Sequence, residues 1–385
     1  MDDLLFLDEQ LNGDERKIRD SVARFVSNDV MPLMAESFEH AQFPRELIKK
    51  SAEMGLLGLT LPAEYGGSEA SYVAYGLVCQ ELERGDSGLR SFVSVQSSLC
   101  MYPIFRYGSE EQRVRFLPGM ATGEIIGCFG LTEPDFGSDP AGMRTTAKKV
   151  KGGWSLNGAK MWITNSPIAD IAIVWAKTEE GVRGFIVDTK SEGLRRPEIK
   201  LKMSLRASNT GELVFDDVFV PDENYLPGSD KGLGAPLSCL SQARYGIAWG
   251  AMGAAMACFD ITRDYLLERK QFNKPLAAFQ LIQKDLADMY TEIIKAQCLN
   301  LQVGRIKDNH RENPVMISLA KGNACREALN IARKCRNLLG ANGISLEYHV
   351  IRHMLNLESV FTYEGTDNVH TLVLGKHITG INAFA

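Results

Sequence analysis

Leu131-Thr132-Glu133-Pro134-Asp135-Phe136-Gly137-Ser138-Asp139-Pro140 is the stretch at which the chain changes from helical to β-type sequence. It is dense in residues that favour turns. Before it, apolar residues recur mainly every three or four positions, whereas short β-branched or alternating runs such as Ile171 to Ala176 follow it. The chain therefore predicts a helical part followed by a β part, with the change near residue 125.

The segment before this change is predicted to be an N-terminal helical domain over residues 1–124. Asn12 and Glu15 stand three residues apart, which is the pattern of a capping box at a helix start. Pro32 is expected to interrupt that helix. A later helix, which begins after Gly108, is expected to end near Pro118.

Residues 125–228 are predicted to form a small antiparallel β domain, and residues 229–385 a C-terminal helical bundle. Glycine turns such as Asn157-Gly158 separate the strands. Apolar residues then return at helical spacing, and one long helix is expected over Pro314 to Leu339, ended by Gly340. The predicted fold class is mainly α with a central β domain.

Composition excludes several classes of protein. The 385 residues are 45% hydrophobic and 24% charged, with a formal net charge of −5, so a basic surface for nucleic acid is not expected. No apolar run approaches the ~20 residues of a membrane span. The N-terminus lacks the pattern of a signal or transit peptide, which predicts a cytoplasmic protein, or a mitochondrial matrix protein if the chain is a processed eukaryotic one.

The metal-ligating residue types are scattered. The eight cysteines form no CxxC pair, which favours free thiols. His349 and His353 have the spacing of metal ligands on a helix, but no third ligand accompanies them, so no metal site is predicted. The chain also lacks the glycine motifs of Rossmann-type nicotinamide binding and of phosphoryl transfer.

The stretch Tyr363-Glu364-Gly365-Thr366 is the first candidate for chemistry. A Glu between an aromatic residue and a glycine can be a general base whose proton affinity is raised by apolar walls. It can equally be an ordinary loop acid. The residue spacing alone leaves both readings open.

Several ordered motifs resemble those of the acyl-CoA dehydrogenase family, over essentially the whole chain. They are Phe129 to Pro134 with Gly137 to Asp139, Trp162 to Asn165, Arg269 to Phe272 with Gln280, Leu338 to Gly343, and Tyr363 to Thr366. The resemblance implies an FAD enzyme that oxidises acyl-CoA thioesters, with Glu364 as the base, and a C-terminal bundle of four helices. It also implies a homo-oligomer, expected to be a homotetramer, and an electron-transfer flavoprotein as electron acceptor.

The resemblance implies two sets of cofactor contacts. Within one subunit, the flavin-binding residues would be Phe129, Leu131, Thr132, Gly137, Ser138, Trp162, Ile163, Thr164, Thr366 and Phe384. Contacts to the FAD of a neighbouring subunit would come from Arg269, Gln271, Phe272, Gln280, Asn337, Leu338, Gly340 and Ala341. Without the family, Arg269 reads as a solvated cation, Trp162 as a strand aromatic, Thr366 as a helix N-cap and Phe384 as a frayed terminus.

The substrate residues follow from the same resemblance. Ser138 would meet the CoA phosphate region, and Arg244, Tyr245 and Gly365 would line the acyl-CoA cleft. The run Glu81 to Ser91 resembles the glutaryl branch of the family, in which an Arg-Ser pair, here Arg90-Ser91, binds the second carboxylate of the substrate. A dicarboxylic substrate brings a charge that must be paired in a dry pocket. Glu83 and Tyr363 match positions around that carboxylate.

The expected reaction is the oxidation of glutaryl-CoA, followed by loss of its γ carboxylate as CO2 to give crotonyl-CoA. Two alternatives are a dehydrogenase that stops before decarboxylation and one that acts on short or branched acyl-CoA. An oxidase that passes electrons to O2 and a binding protein that has lost the chemistry are two further classes.

Overall fold

A computed structural model of the chain describes residues 2–384. The N-terminal part is helical, and its first helix begins with the predicted capping box between Asn12 and Glu15. Its helices are α1 (Gly13–Phe25), α2 (Met31–Glu39), α3 (Glu46–Glu53), α4 (Tyr72–Gly85), α5 (Ser87–Ser94), α6 (Tyr102–Tyr107) and α7 (Glu110–Ala121). Two π-helical segments, Val26–Val30 and Val95–Met101, join α1 to α2 and α5 to α6.

The two prolines act differently from the sequence prediction. Pro32 lies in the first turn of α2, where its missing N–H needs no partner, so the chain stays helical through it. Pro118 lies inside α7, which continues to Ala121. The expected end near Pro118 was therefore wrong.

The central domain is a sheet of seven strands. The strands are β1 (Gly127–Gly130), β2 (Thr146–Val150), β3 (Gly153–Thr164), β4 (Ile171–Thr178), β5 (Gly181–Asp188), β6 (Leu194–Arg195) and β7 (Thr210–Pro221). They are ordered β1-β4-β2-β3-β7-β6, with β5 also paired to β4. The central β domain is thus confirmed, but the sheet is mixed, because β1 pairs in parallel with β4 after a long crossover through β2 and β3.

The C-terminal part contains five helices and a two-stranded ribbon. They are α8 (Gly234–Glu268), β8 (Lys270–Gln271), β9 (Lys274–Pro275), α9 (Gln280–Asp308), α10 (Pro314–Leu338), α11 (Val350–Thr362) and α12 (Asp367–Thr379). The main core is formed where α8 packs against α4 and α10, with Val78, Ile247 and Ala324 fully buried. The mainly α fold is confirmed.

Three further features concern membrane-spanning helices, metal-ligating side chains and thiols. No helix among the described residues is long and apolar enough to cross a membrane. In residues 2–384, no three His, Cys, Asp or Glu side chains are grouped so that they could hold a metal ion. The eight cysteines are free thiols, and seven of them are buried.

Candidate functional site

A cavity of about 1370 Å³ lies where the central sheet meets the helices of both flanking domains. Its β-domain wall contains eight predicted cofactor residues, namely Phe129, Leu131, Thr132, Gly137, Ser138, Trp162, Ile163 and Thr164. Its helical wall contains Arg90, Ser91, Arg244 and residues 363–366, and Phe384 also lines it. The cavity therefore brings together most of the residues that the sequence selected.

The turn-rich stretch after β1 is fixed by a buried ion pair. Glu133 accepts a hydrogen bond from Lys160 Nζ at 2.8 Å and from the backbone N–H groups of Arg144 and Thr145 at 2.6 and 2.9 Å. These donors hold the pKa of Glu133 below its usual range against the opposing effect of burial, which is the largest influence. The pair thus fixes the loop that carries Gly137 and Ser138.

Trp162 presents an aromatic face to the cavity. It lies in β3, where the pairing with β7 is irregular between Lys160 and Ile163, and its φ is +62°. Because the local backbone departs from the regular pleat, the indole is 57% exposed within the cavity wall instead of packed in the sheet core. A planar ring could stack on this face.

The loop between α11 and α12 carries the candidate base. Glu364 and Gly365 have φ values of +52° and +97°, so two successive residues lie in the left-handed region. Thr366 then caps α12 by accepting from Val369 N at 3.3 Å. A Cβ at Gly365 would lie 2.9 Å from His370 Nε2, so only glycine fits there without a shift.

The Glu364 carboxyl group has a buried oxygen and a raised pKa. Among the described residues, Glu364 Oε2 has no hydrogen-bond partner. Burial raises the pKa of Glu364 above its usual range, although the charges of Arg90, Arg244 and Lys321 oppose this rise. A carboxylate with a free oxygen and a raised pKa is suited to accept a proton.

Arg90 stands at another part of the same wall and is almost completely buried. Arg90 Nε donates to Glu83 Oε2 at 2.5 Å, and Arg90 Nη2 donates to the Tyr363 hydroxyl. Ser91 Oγ lies 3.5 Å from that hydroxyl. The pKa of Arg90 is raised well above its usual value by Glu83, against the larger opposing effect of burial, so the guanidinium is a permanent cation.

The predicted residues are not all on the cavity wall. Glu83 is buried behind Arg90. Tyr245 is buried in the helical core, where its hydroxyl donates to Tyr72 O at 2.8 Å. The residues assigned to a neighbouring subunit's cofactor lie away from this cavity, namely Arg269, Gln271, Phe272, Gln280, Asn337, Leu338, Gly340 and Ala341.

Sequence reasoning assigned no role to several further residues near this site. Lys202, Ser204 and Leu205 line the cavity from the loop before β7. Lys321 lies behind Glu364, where it donates to two backbone carbonyls of the base loop. A signal for Lys321 did exist, because a lysine interrupts the buried face of α10 between Ile317 and Cys325.

Three family models match the chain in succession. The N-terminal, middle and C-terminal domain models of acyl-CoA dehydrogenase match residues 12–124, 128–218 and 230–379, respectively. The domain bounds predicted from sequence stay a prediction.

Individual relatives cover almost the entire chain. A mitochondrial 2-methylacyl-CoA dehydrogenase of Solanum tuberosum is 33% identical over 96% of this chain and 91% of its own length. A short-chain-specific acyl-CoA dehydrogenase of Clostridium acetobutylicum is 34% identical over 97% and 100%. The crystal structure of a glutaryl-CoA dehydrogenase from Mycobacterium smegmatis with FADH2 is 52% identical, covers 99% of this chain and 98% of its own, and superposes with a TM-score of 0.98.

Proposed function

Because the chain belongs to the acyl-CoA dehydrogenase family, we propose that it oxidises glutaryl-CoA with FAD and decarboxylates the product to crotonyl-CoA and CO2. The observation that carries this proposal is Arg90, a cation 1% exposed on the wall of a mainly apolar cavity. A fatty acyl chain carries no group that pairs with such a charge, whereas a substrate with a second carboxylate does carry one.

The cavity fits FAD. The exposed face of Trp162 and the apolar side chains of Phe129 and Leu131 offer a surface for a planar ring, while Thr132, Ser138 and Thr164 offer polar atoms beside it. When bound there, FAD supplies the acceptor for the hydride that leaves the β carbon of the substrate. The 52% identical structure in complex with FADH2 supports the assignment.

Glu364 is the proposed general base. It takes the α proton of the thioester, and Oε2 is the oxygen free to receive it. Burial keeps the carboxylate poorly solvated, which favours its protonation in the transition state. Arg244, which lines the cavity, donates to the backbone carbonyl of Glu364 itself.

Decarboxylation is the proposed second step. Loss of the α proton and the β hydride leaves glutaconyl-CoA, whose γ carboxylate departs as CO2 while its electron pair moves into the enoyl thioester. Protonation of the γ carbon, by the proton on Glu364, gives crotonyl-CoA. Arg90, Ser91 and Tyr363 would hold the carboxylate before it leaves, and Glu83 would keep Arg90 in place.

The remaining substrate contacts belong to the CoA moiety. Ser138 and Gly365 line the cavity beside Arg244, and we assign them to the CoA portion of the cleft. Tyr245 would act from the core, by supporting the helix that carries Arg244, since its hydroxyl bonds Tyr72 O.

The proposal also includes contacts between subunits and an electron acceptor. Phe272 is 88% exposed next to Gln271, on the ribbon after α8, and its ring contacts that of Phe279 edge-on. We propose that this surface, with Arg269, Gln280 and residues 337–341, contacts the FAD of a neighbouring subunit in a homotetramer. Reduced FAD would pass its electrons to an electron-transfer flavoprotein.

A second candidate function is the oxidation of short or branched acyl-CoA without decarboxylation. Relatives at 33% and 34% identity carry those names. Arg90 argues against this candidate, because a butyryl or isovaleryl group carries no second carboxylate that could pair with the guanidinium.

A substrate panel tests the proposal. The purified holoenzyme is assayed with glutaryl-, butyryl-, isobutyryl- and isovaleryl-CoA and an artificial electron acceptor. We expect the highest kcat/KM with glutaryl-CoA. Good turnover of butyryl- or isobutyryl-CoA with none of glutaryl-CoA would contradict the proposed substrate.

A further inference from the structure

Three consecutive carbonyls of the base loop accept hydrogen bonds from two cations, the buried Lys321 and the partly buried Arg244. Lys321 Nζ donates to Tyr363 O at 3.0 Å and to Gly365 O at 2.9 Å. Arg244 Nε donates to the carbonyl between them, that of Glu364, at 2.6 Å. Lys321 is fully buried and does not line the cavity, so it holds the loop from behind.

These hydrogen bonds hold the loop in a backbone conformation that it would otherwise leave. A non-glycine residue at positive φ, such as Glu364 at +52°, is held there only when its surroundings determine it. A lysine ammonium group has three donors and no acceptor, so a single side chain can bond both carbonyls that flank Glu364. Lys321 therefore fixes the direction in which the Glu364 side chain leaves the backbone.

Lys321 also brings a positive charge to the loop, and this charge is not paired with a carboxylate among the described residues. Among the described residues it forms no ion pair, although acids stand near the loop on two helices. Glu83 of α4 pairs with Arg90 of α5, and Asp367 of α12 pairs with Arg326 of α10 at 2.6 Å.

The remaining charged or titratable groups around the loop are Arg244 of α8, Cys325 of α10, Tyr363 of the loop and His370 of α12. Burial lowers the pKa of His370 to about 3, which keeps that ring neutral at ordinary pH. Burial likewise raises the pKa of Cys325 to about 11, so its thiol is uncharged.

We propose that Lys321 is the positioning residue of the base, which holds the 363–365 loop in its left-handed conformation and whose charge favours the ionised carboxylate of Glu364. The inference rests on the proposed role of Glu364 as the general base. It adds to that role a residue that touches neither the substrate nor the cofactor wall.

Lys321→Met in the holoenzyme is the test, because methionine has similar length but has neither the charge nor the donors. We expect kcat to fall by about 10²-fold, since small misplacements of a reacting group have effects of that size. The loss should be equal for glutaryl-CoA and butyryl-CoA, with little change in KM. The acid limb of the pH profile of kcat/KM should move to higher pH, because one cation that favours the carboxylate is gone.

Arg326→Met is the matched control. It lies on the same helix and contacts the same segment through Asp367, but its side chain is 43% exposed and makes no bond to residues 363–365. Its kcat and its acid limb should match those of the unaltered protein. A shift as large as that of Lys321→Met would mean that any loss of support to the loop has this effect, which would overturn the inference.

The outcomes separate this inference from the proposed function. A Lys321→Met enzyme with unchanged kcat and acid limb overturns the role of Lys321. Near-normal turnover by Glu364→Gln instead overturns the base assignment. If Lys321→Met does not fold, Lys321→Gln decides on the same readouts: a displaced acid limb supports the inference, and an unchanged one overturns it.

Discussion

Two buried charged groups on one cavity wall, Glu364 and Arg90, are held in opposite ways. Arg90 already has a carboxylate partner in Glu83 and a hydroxyl partner in Tyr363 before any substrate arrives. Glu364 is surrounded by cations, yet its Oε2 has no partner among the described residues. This difference fits the proposed roles, in which an ordered Arg90 binds a second substrate carboxylate and a carboxylate oxygen of Glu364 without a partner accepts a proton.

Tyr363 links the two groups. Its hydroxyl accepts from Arg90, and its carbonyl accepts from Lys321 on the other side. Because Tyr363 directly precedes Glu364, the proposed binding of a second carboxylate and the placement of the proposed base depend on one short segment. A test of the account must therefore show that the two functions can be lost separately.

The largest expected effect is that of Glu364→Gln, which removes the base and keeps the shape of the side chain. Turnover should fall by about 10²–10⁴-fold with every acyl-CoA substrate, since that is the usual contribution of a general base. Binding of FAD and of ligand should persist, as measured by absorbance and by titration with a product. Glu347→Gln, an exposed acid close to α11, is the control and should be normal.

Arg90→Gln should produce the next largest effect, and only with the dicarboxylic substrate. We expect kcat/KM for glutaryl-CoA to fall by about 10–100-fold, because a charged hydrogen bond contributes ~1.5–3 kcal/mol. Butyryl-CoA should change far less. Arg84→Gln, whose side chain pairs with Glu81 away from the cavity, serves as the control. Equal losses on both substrates would show that Arg90 is structural.

The pH dependence of the first step should reveal the base. Because burial raises the pKa of Glu364, the acid limb of kcat/KM should lie above the pKa of an ordinary glutamate, and it should do so for glutaryl-CoA and butyryl-CoA alike. Stopped-flow reduction of the flavin across pH gives this limb. A limb at the ordinary pKa of glutamate would mean that the carboxylate is well solvated.

The smallest expected effect is a gain in thermal stability for Glu364→Gln. A carboxyl group whose pKa is raised by folding binds a proton more tightly in the folded state, so its ionisation costs stability once the pH rises through that pKa. Near neutral pH the Gln variant should therefore unfold a few degrees higher. The difference should vanish at a pH below the pKa of an unfolded glutamate. A lower Tm at neutral pH would contradict the burial argument.

Local signals made much of the fold predictable. The Asn12–Glu15 capping box and the end of α10 before Gly340 follow from side-chain patterns within a few residues, and both are present. Long-range pairing did not follow. The parallel contact of β1 with β4 joins residues more than 40 positions apart, and nothing local in either strand specifies its direction.

The site shows the same division. Motif residues such as Trp162, Ser138 and Glu364 do line one cavity. The support behind them was not predictable, because Lys321 reaches the carbonyls of residues 42 and 44 positions further along the chain. Tyr245 differs in the opposite way. Its motif predicted a place in the acyl-CoA cleft, but helix packing buries its ring in the core.

In the proposed reaction, the protein oxidises a thioester that carries a second carboxylate and then releases that carboxylate as CO2. The most direct test is the amount of CO2 released per crotonyl-CoA formed when the holoenzyme consumes glutaryl-CoA in the presence of an electron acceptor. We predict one CO2 for each crotonyl-CoA, with no accumulation of glutaconyl-CoA. Accumulation of glutaconyl-CoA without CO2, or no consumption of glutaryl-CoA, would contradict the account.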